Sequence, residues 1–229
     1  MFSKKTLLGV LGAFALGGCA VQQDVMLDQA YWQSPGKSVG IVLAKAPTPT
    51  GHKVGSQGLL DLAINEGVAS GSDKHLESLS ISEFDEVANL LKARFEKGGM
   101  KVTMIPDRLD VASLPKATES KPNFAKKDFT SLKSQYNVDQ LLVLEVVAAG
   151  TIRSYYSFFP TGAPQAYFAS QATLVDLTDN HLVWYKKDEQ QKPIAEPWDQ
   201  PNDNYPNLTN AFYQAVESGK AALFQAAGT

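Results

Sequence analysis

Two short runs limit what this chain can become. Ser38–Lys45 reads Ser-Val-Gly-Ile-Val-Leu-Ala-Lys, and Leu141–Val147 reads Leu-Leu-Val-Leu-Glu-Val-Val. Nearly every position is apolar, without the alternation of a strand that has one wet face, so both read as strands buried on two sides. Such strands need a covering layer above and below. A chain of 229 residues, 44% hydrophobic and 20% charged, is long enough to supply both layers. It contains one cysteine, which excludes an intramolecular disulfide.

The segments between these runs supply the layers. Ser80-Ile81-Ser82-Glu83 has the spacing of a capping box. Behind it Phe84, Val87, Ala88, Leu91 and Phe95 fall on one face of a helix that Gly98-Gly99 ends. Lys101–Ile105 is the next strand, stopped by Pro106, so strand, helix and strand are complete by residue 105 and a parallel pair is expected. Pro47, Pro49, Gly51, Gly55 and Gly58 mark a loop before it, and Leu59–Ala69 a short helix. After the irregular stretch Asp107–Asn123, Asp128 is expected to cap a short helix reaching Tyr136.

Val138–Phe159 is then extended, with Gly150 as a candidate bulge. Ala166–Leu177 and His181–Lys187 return across the turns at Pro160–Pro164 and Thr178–Asn180, which makes a three-stranded antiparallel meander. A polar loop with four prolines, 193, 197, 201 and 206, leads to a last helix from about Asn207, apolar along Leu208, Phe212, Val216 and Leu223. The expected fold is a single α/β domain over residues 38–229, with a mixed sheet, a parallel βαβ start, the meander and a C-terminal helix.

The N-terminus carries a different signal. Lys4 and Lys5 precede an uncharged apolar stretch, Thr6–Leu16, too short to span a bilayer and the right length for a secretory h-region. Leu16-Gly17-Gly18-Cys19 follows at once. This block resembles the bacterial lipoprotein signal, whose four-residue lipobox ends in the acylated cysteine. The resemblance implies a signal peptide over 1–18, cleavage between Gly18 and Cys19, and lipid on Cys19, the sole cysteine. Ala20 stands where an aspartate is associated with inner-membrane retention, so the resemblance implies the outer membrane, facing the periplasm. Several acyl chains on one residue make a near-permanent anchor. Residues 19–37, polar and ending at Ser34-Pro35-Gly36, read as a lipidated tether whose end Tyr31 and Trp32 pin to the body.

The order of elements resembles the periplasmic domains of the curli-secretion lipoprotein, of the lipoprotein activators of penicillin-binding proteins, and of the N-terminal part of TolB. Gly58-Leu59-Leu60-Asp61, Pro160-Thr161-Gly162 and Leu208-Thr209-Asn210-Ala211-Phe212 are similar to blocks of an uncharacterised bacterial lipoprotein family. That likeness implies no activity.

Few residues of the chain offer chemistry. The net charge is −3, and cleavage before Cys19 removes Lys4 and Lys5 and no acid, taking it to −5. Such a body argues against nucleic acid as a partner and against electrostatic attachment to anionic lipid. His52, His75 and His181 have no partner at metal-binding helical spacing, so no metal site and no cofactor are expected. No Gly-x-Ser-x-Gly or Ser-x-x-Lys motif is present, and the serine, aspartate and histidine of Ser70–His75 are adjacent rather than convergent, so no catalytic residue is assigned. Glu145 interrupts an apolar run, and reads either as a residue on a solvated face, paired with Arg153 or a lysine, or as the acid of a ligand pocket.

Tyr155, Tyr156, Phe158 and Phe159 put aromatics on both faces of a strand next to a proline turn. They read either as covered core, as a tip that docks on a partner or a second copy, or, least in keeping with Arg153 and Gln165 nearby, as a barrel strand in a membrane. The function expected is a non-enzymatic, lipid-anchored binding or scaffold protein with an envelope protein partner or self-association. A ring-forming export accessory and an enzyme acting on envelope material are the alternatives.

Overall fold

In a computed structural model of the chain, residues 22–33, 36–56, 71–118, 121–157 and 159–228 are described. Among them, seven strands form one sheet: β1 (Ser38–Leu43), β2 (Thr50–Ser56), β3 (Lys101–Met104), β4 (Gln140–Tyr156), β5 (Phe159–Pro160), β6 (Gln165–Asp176) and β7 (Leu182–Pro193). The order β3-β1-β4-β6-β7 places the two apolar runs side by side at its centre. β1 lies parallel to β3 on one side and to the first residues of β4 on the other. β6 and β7 then add antiparallel. The chain is a single mixed α/β domain with a parallel βαβ start, an antiparallel meander and a C-terminal helix, as its periodicities predict.

Each face of the sheet has its own cover. On one, Ile41, Leu142, Leu144, Leu174 and Trp184 pack under α2 (Gly71–Ser78), α3 (Glu86–Lys97) and α5 (Pro206–Ala226), the first helix in the chain being α1 (Gln29–Trp32). On the other, Val42, Leu141, Val143 and Val175 pack under the long connection after β3, through Leu109, Ala125, Phe129 and Leu132. Leu132 opens α4 (Leu132–Tyr136). The apolar stripe predicted for α3 is the buried one: Val87, Ala88, Leu91 and Phe95 are each at most 1% exposed. Its end is a Schellman motif, with Gly99 at φ +82° and the amides of Gly99 and Met100 donating to the carbonyls of Glu96 and Phe95. α5 is tied to α3 by Lys220, whose ammonium meets Glu86 at 2.6 Å and Glu217 at 2.8 Å.

β4 has two parallel neighbours along one edge, β1 beside residues 140–144 and β2 beside 150–156. β2 lies where the glycines and prolines predict a loop. Its sequence, Thr-Gly-His-Lys-Val-Gly-Ser, has no apolar alternation, and the pairing with β4 holds it. Gly150 makes that approach fit: its φ is +131°, and a Cβ there would stand 1.9 Å from the Thr50 carbonyl oxygen. The bulge in β4 lies not at Gly150 but at Val147, between the pairs Val146–Ser170 and Ala148–Ala169. It resets the alternation, so that Ala149 follows Val146 on the same buried face.

Other expectations are corrected locally. The Ser80 hydroxyl accepts from Ser82 N rather than from Glu83, and a 3-10 turn, Ser82–Asp85, precedes α3, so no capping box forms. Asp128 accepts from Thr130 N and Oγ1, but α4 starts only at Leu132. Ser70–His75, read as a loop, contributes Gly71–His75 to α2. β7 continues past Lys187 to Pro193 along β6 where a polar loop is predicted. The helix expected over Leu59–Ala69 lies outside the described residues.

The stretch read as a tether is attached over its described part. Val25 and Tyr185 exchange backbone hydrogen bonds of 2.9 Å, and Asp24 pairs with Lys186 at 2.7 Å. α1 then buries Tyr31 against Trp32 and Phe95, and the Tyr31 hydroxyl donates to Gln140 Oε1 at 2.8 Å. Tyr31 and Trp32 do hold this segment to the body, and the hold extends back to Asp24.

Candidate functional site

The aromatic tip is built by the overhang of β4. β4 and β6 pair as far as Ile152–Gln165, and β4 runs four residues further. There β2 pairs with it on one edge and β5 on the other, in the register Tyr156–Phe159. After Tyr156, Ser157 takes φ +53°, a left-handed conformation suited to a tight turn. The aromatics that the sequence groups together divide. Tyr155 is half-buried, with the Lys53 ammonium 5.7 Å and the Arg153 guanidinium 5.9 Å from its ring centre. Arg153 also lies 5.2 Å from the Trp198 ring and donates to the Gly162 carbonyl at 2.8 Å, which ties the turn down. Phe168 is fully buried. Tyr156 and Phe159, directly opposite each other, are 71% and 73% exposed, so neither is core. Phe158, Gly18 and Cys19 lie outside the described residues.

A second concave feature sits on the sheet face covered by the long connection. It is a cavity of about 390 Å³, within the usual range of small-ligand sites. Its floor is the sheet: Gln171, Thr173 and Tyr185. Val111, Phe124, Ala125, Phe129 and Leu182 give its apolar lining, and Gln22, Lys126, Lys127 and Lys187 complete it.

Asn180 makes the wall rigid. It is 7% exposed and at φ +69°, accepts from Phe129 N at 2.9 Å, and donates to the carbonyls of Ala125 and Lys127 at 3.1 and 2.8 Å. Every side-chain hydrogen-bonding atom of Asn180 therefore holds the segment that walls the cavity. Lys127 spans the same segment, with its ammonium on the carbonyls of Ala112 and Leu114.

Glu145 lies beside this floor, directly across the ladder from Gln171. Gln171 Nε2 donates to its carboxyl at 2.6 Å, and the Tyr185 hydroxyl donates to Gln171 Oε1 at 3.3 Å. Burial raises the Glu145 carboxyl above the usual carboxylate range, against the opposing pull of the Gln171 bond and Lys187. Burial, with Asp24 and Glu145 nearby, pushes the Tyr185 phenol up to about 12. Glu145 takes its hydrogen bond from Gln171 rather than from Arg153, which serves the hairpin. The sequence singles out Glu145 but not the cavity beside it, because the wall comes from a segment without periodicity and from a turn asparagine.

The three histidines are separate. His75 Nε2 meets Thr209 Oγ1 at 2.7 Å, and its ring lies over Tyr205. Burial lowers its pKa. His52 packs edge-on to Tyr167 from β2, and His181 edge-on to Phe124. Among the described residues no three metal-ligating side chains cluster, and no helix is long and apolar enough to cross a membrane.

No protein-family model matches the chain, and no curated protein sequence matches it. Solved structures do. The chain is similar to a dodecamer of PelC from Paraburkholderia phytofirmans, with 12% identity over 85% of this chain and 90% of that one, at a TM-score of 0.33. It is similar to protein XCC0632 from Xanthomonas campestris, of family DUF330, with 13% identity over 89% of each chain, at a TM-score of 0.38. Lipoprotein GNA1162 from Neisseria meningitidis is 12% identical over 82% of this chain and 99% of that one, at a TM-score of 0.32.

Proposed function

We propose that this chain is a non-enzymatic, lipid-anchored lipoprotein of the outer membrane that faces the periplasm, held by lipid on Cys19. In this reading its body binds or scaffolds an envelope protein through the β4–β5 tip. The anchor follows from Lys4-Lys5, the apolar stretch and Leu16-Gly17-Gly18-Cys19. The observation that carries the binding role is the exposure of Tyr156 and Phe159 at 71% and 73% on a paired, tied-down hairpin. Aromatic side chains offer large contact area with few torsions to freeze, which suits a docking surface.

Two experiments test the reading separately. Cys19→Ala releases the folded body from membranes, and a variant that still fractionates with outer membrane refutes the anchor. The pair Tyr156→Ser and Phe159→Ser leaves the melting temperature nearly unchanged, since surface changes cost about 0.5 kcal/mol or less. The pair abolishes crosslinking to the partner in intact envelopes. Retained crosslinking in the folded double variant refutes the docking role. Mass in detergent distinguishes a second copy from another protein as the thing bound.

A further inference from the structure

As a free tether, residues 19–37 would let the body stand up to about 60 Å from a lipid on Cys19. The attachment of the N-terminal segment shortens that distance. Asp24 pairs with Lys186, Val25 and Tyr185 exchange backbone hydrogen bonds, and α1 buries Tyr31 against Phe95. Gln22 already lines the cavity together with Lys187. What is left between the lipid and the body is the chain from Cys19 to Gln22, and three residues span at most about 11 Å however they run.

Such a leash decides which side of the body can meet the bilayer. Acyl chains in the hydrocarbon put Cys19 at the base of the head-group layer, which is about 5–8 Å thick, so Gln22 stands within about 6 Å of the membrane surface. The Val25–Tyr185 bridge and the donation from Lys187 N to Asp24 Oδ1 set Gln22 near the level of Lys187, whose ladder partners are Gln171 and, beyond it, Glu145. From that level the start of β7 at Leu182 is about 17 Å one way along the strands, and Tyr156 on β4 is about 35 Å the other way. Both distances exceed the leash. Neither end of the sheet can therefore rest on the membrane, whereas the β7 edge lies at the leash itself. Met26, the residue after the bridge, is 70% exposed there.

Given the lipid on Cys19 proposed above, we propose that the body lies against the membrane on its β7 edge, with Gln22–Met26 next to the head groups and the strands running along the surface. The head-group layer of the bilayer is the partner of this edge, and Met26 is the apolar side chain that meets it. Chain length sets the contact, not charge, so a bilayer of net-neutral phosphatidylcholine suffices. The hairpin then points along the membrane, and what it docks on stands beside the body.

The sole cysteine carries the lipid, so an introduced cysteine is the only free thiol. The acylated full chain with Met26→Cys, Gln23→Cys or Lys101→Cys is labelled with bimane and reconstituted on phosphatidylcholine vesicles. All three positions are exposed, and Lys101 opens β3 at the opposite edge of the sheet. A nitroxide on the lipid head group, which quenches at short range, quenches the labels at 23 and 26 several-fold more than the label at 101. A flexible insert of about fifteen Gly and Ser residues between Ala20 and Val21 leaves the chain on floated vesicles and abolishes the difference.

A chain that does not float with the vesicles refutes the anchor, and the inference falls with it. A chain that floats without excess quenching at 23 and 26, or that keeps the excess with the insert, leaves the anchor standing and overturns the edge contact.

Discussion

Replacing Tyr31 by phenylalanine deletes one oxygen and leaves the ring in its edge contacts with Trp32 and Phe95, centred 5.5 and 6.1 Å away. The hydroxyl it removes donates to Gln140 Oε1 at 2.8 Å, and Gln140 is fully buried at the start of β4. Burial, with Asp176 nearby, holds the Tyr31 phenol far above its ordinary range, so the donor keeps its proton wherever the fold is studied. The amide nitrogen of Gln140 faces Asp176 at 3.5 Å, so the side chain cannot turn over to satisfy the lost contact without giving up another.

An orphaned buried acceptor costs about 1–3 kcal/mol. For a domain of this size each kcal/mol moves the melting temperature by about 2–4 °C, so Tyr31→Phe lowers it by about 2–12 °C in a circular-dichroism melt. Gln140→Leu in the Tyr31→Phe background removes the orphan and recovers part of the loss, a coupling of about 0.5–3 kcal/mol in a double-mutant cycle. A melting temperature within about 1 °C of wild type, with no coupling, would refute the reasoning and show that water reaches Gln140.

Gly150→Ala forces a Cβ onto the Thr50 carbonyl at a φ that side chains rarely adopt. It costs about 1–3 kcal/mol of strain and frees β2, so hydrogen exchange quickens across Thr50–Ser56. Unchanged protection there refutes the pairing. Phe168→Ala, in the core against Phe84, costs about 3–5 kcal/mol in a denaturant titration, whereas Phe159→Ala stays within about 0.5 kcal/mol. Glu145→Gln keeps an acceptor for Gln171 and removes a charge whose burial raises its pKa. A raised carboxyl gives stability that is complete at acid pH and lost as pH rises through the folded-state value. The glutamine variant therefore melts higher than wild type at pH 7.5, and the gap closes as pH falls below the ordinary carboxylate range.

The parts that a sequence reader recovers are those whose signal is periodic and apolar. Phe84, Val87, Leu91 and Phe95 declare a helix and its buried side at once, and Gly98-Gly99 its end. Leu141–Leu144 declares a strand covered on both faces. What escapes has the opposite character. Thr50–Ser56 is a strand because β4 overhangs and offers it a ladder, a long-range cause that no local window contains. Asp188–Pro193 reads Asp-Glu-Gln-Gln-Lys-Pro, charged and polar residues along an edge, where a strand needs little apolar cover.

The candidate sites divide the same way. The clustering of Tyr155, Tyr156 and Phe159 is visible in sequence, but which of them is exposed depends on where β6 begins. The cavity depends on Asn180 reaching into the 125–129 segment, and a lone asparagine in a turn gives no hint of that reach.

β4 also has a mechanical consequence. A pull on the hairpin, resisted where Val25 is bonded to Tyr185, runs along the strand axes from β4 through β6 to β7. The ladder bonds stand across that direction, so the long β4–β6 and β6–β7 registers are loaded in shear, all together, rather than opened one by one from an end. A body built this way carries tension between the Val25–Tyr185 attachment and its aromatic tip with little lengthening, as a tie rod does.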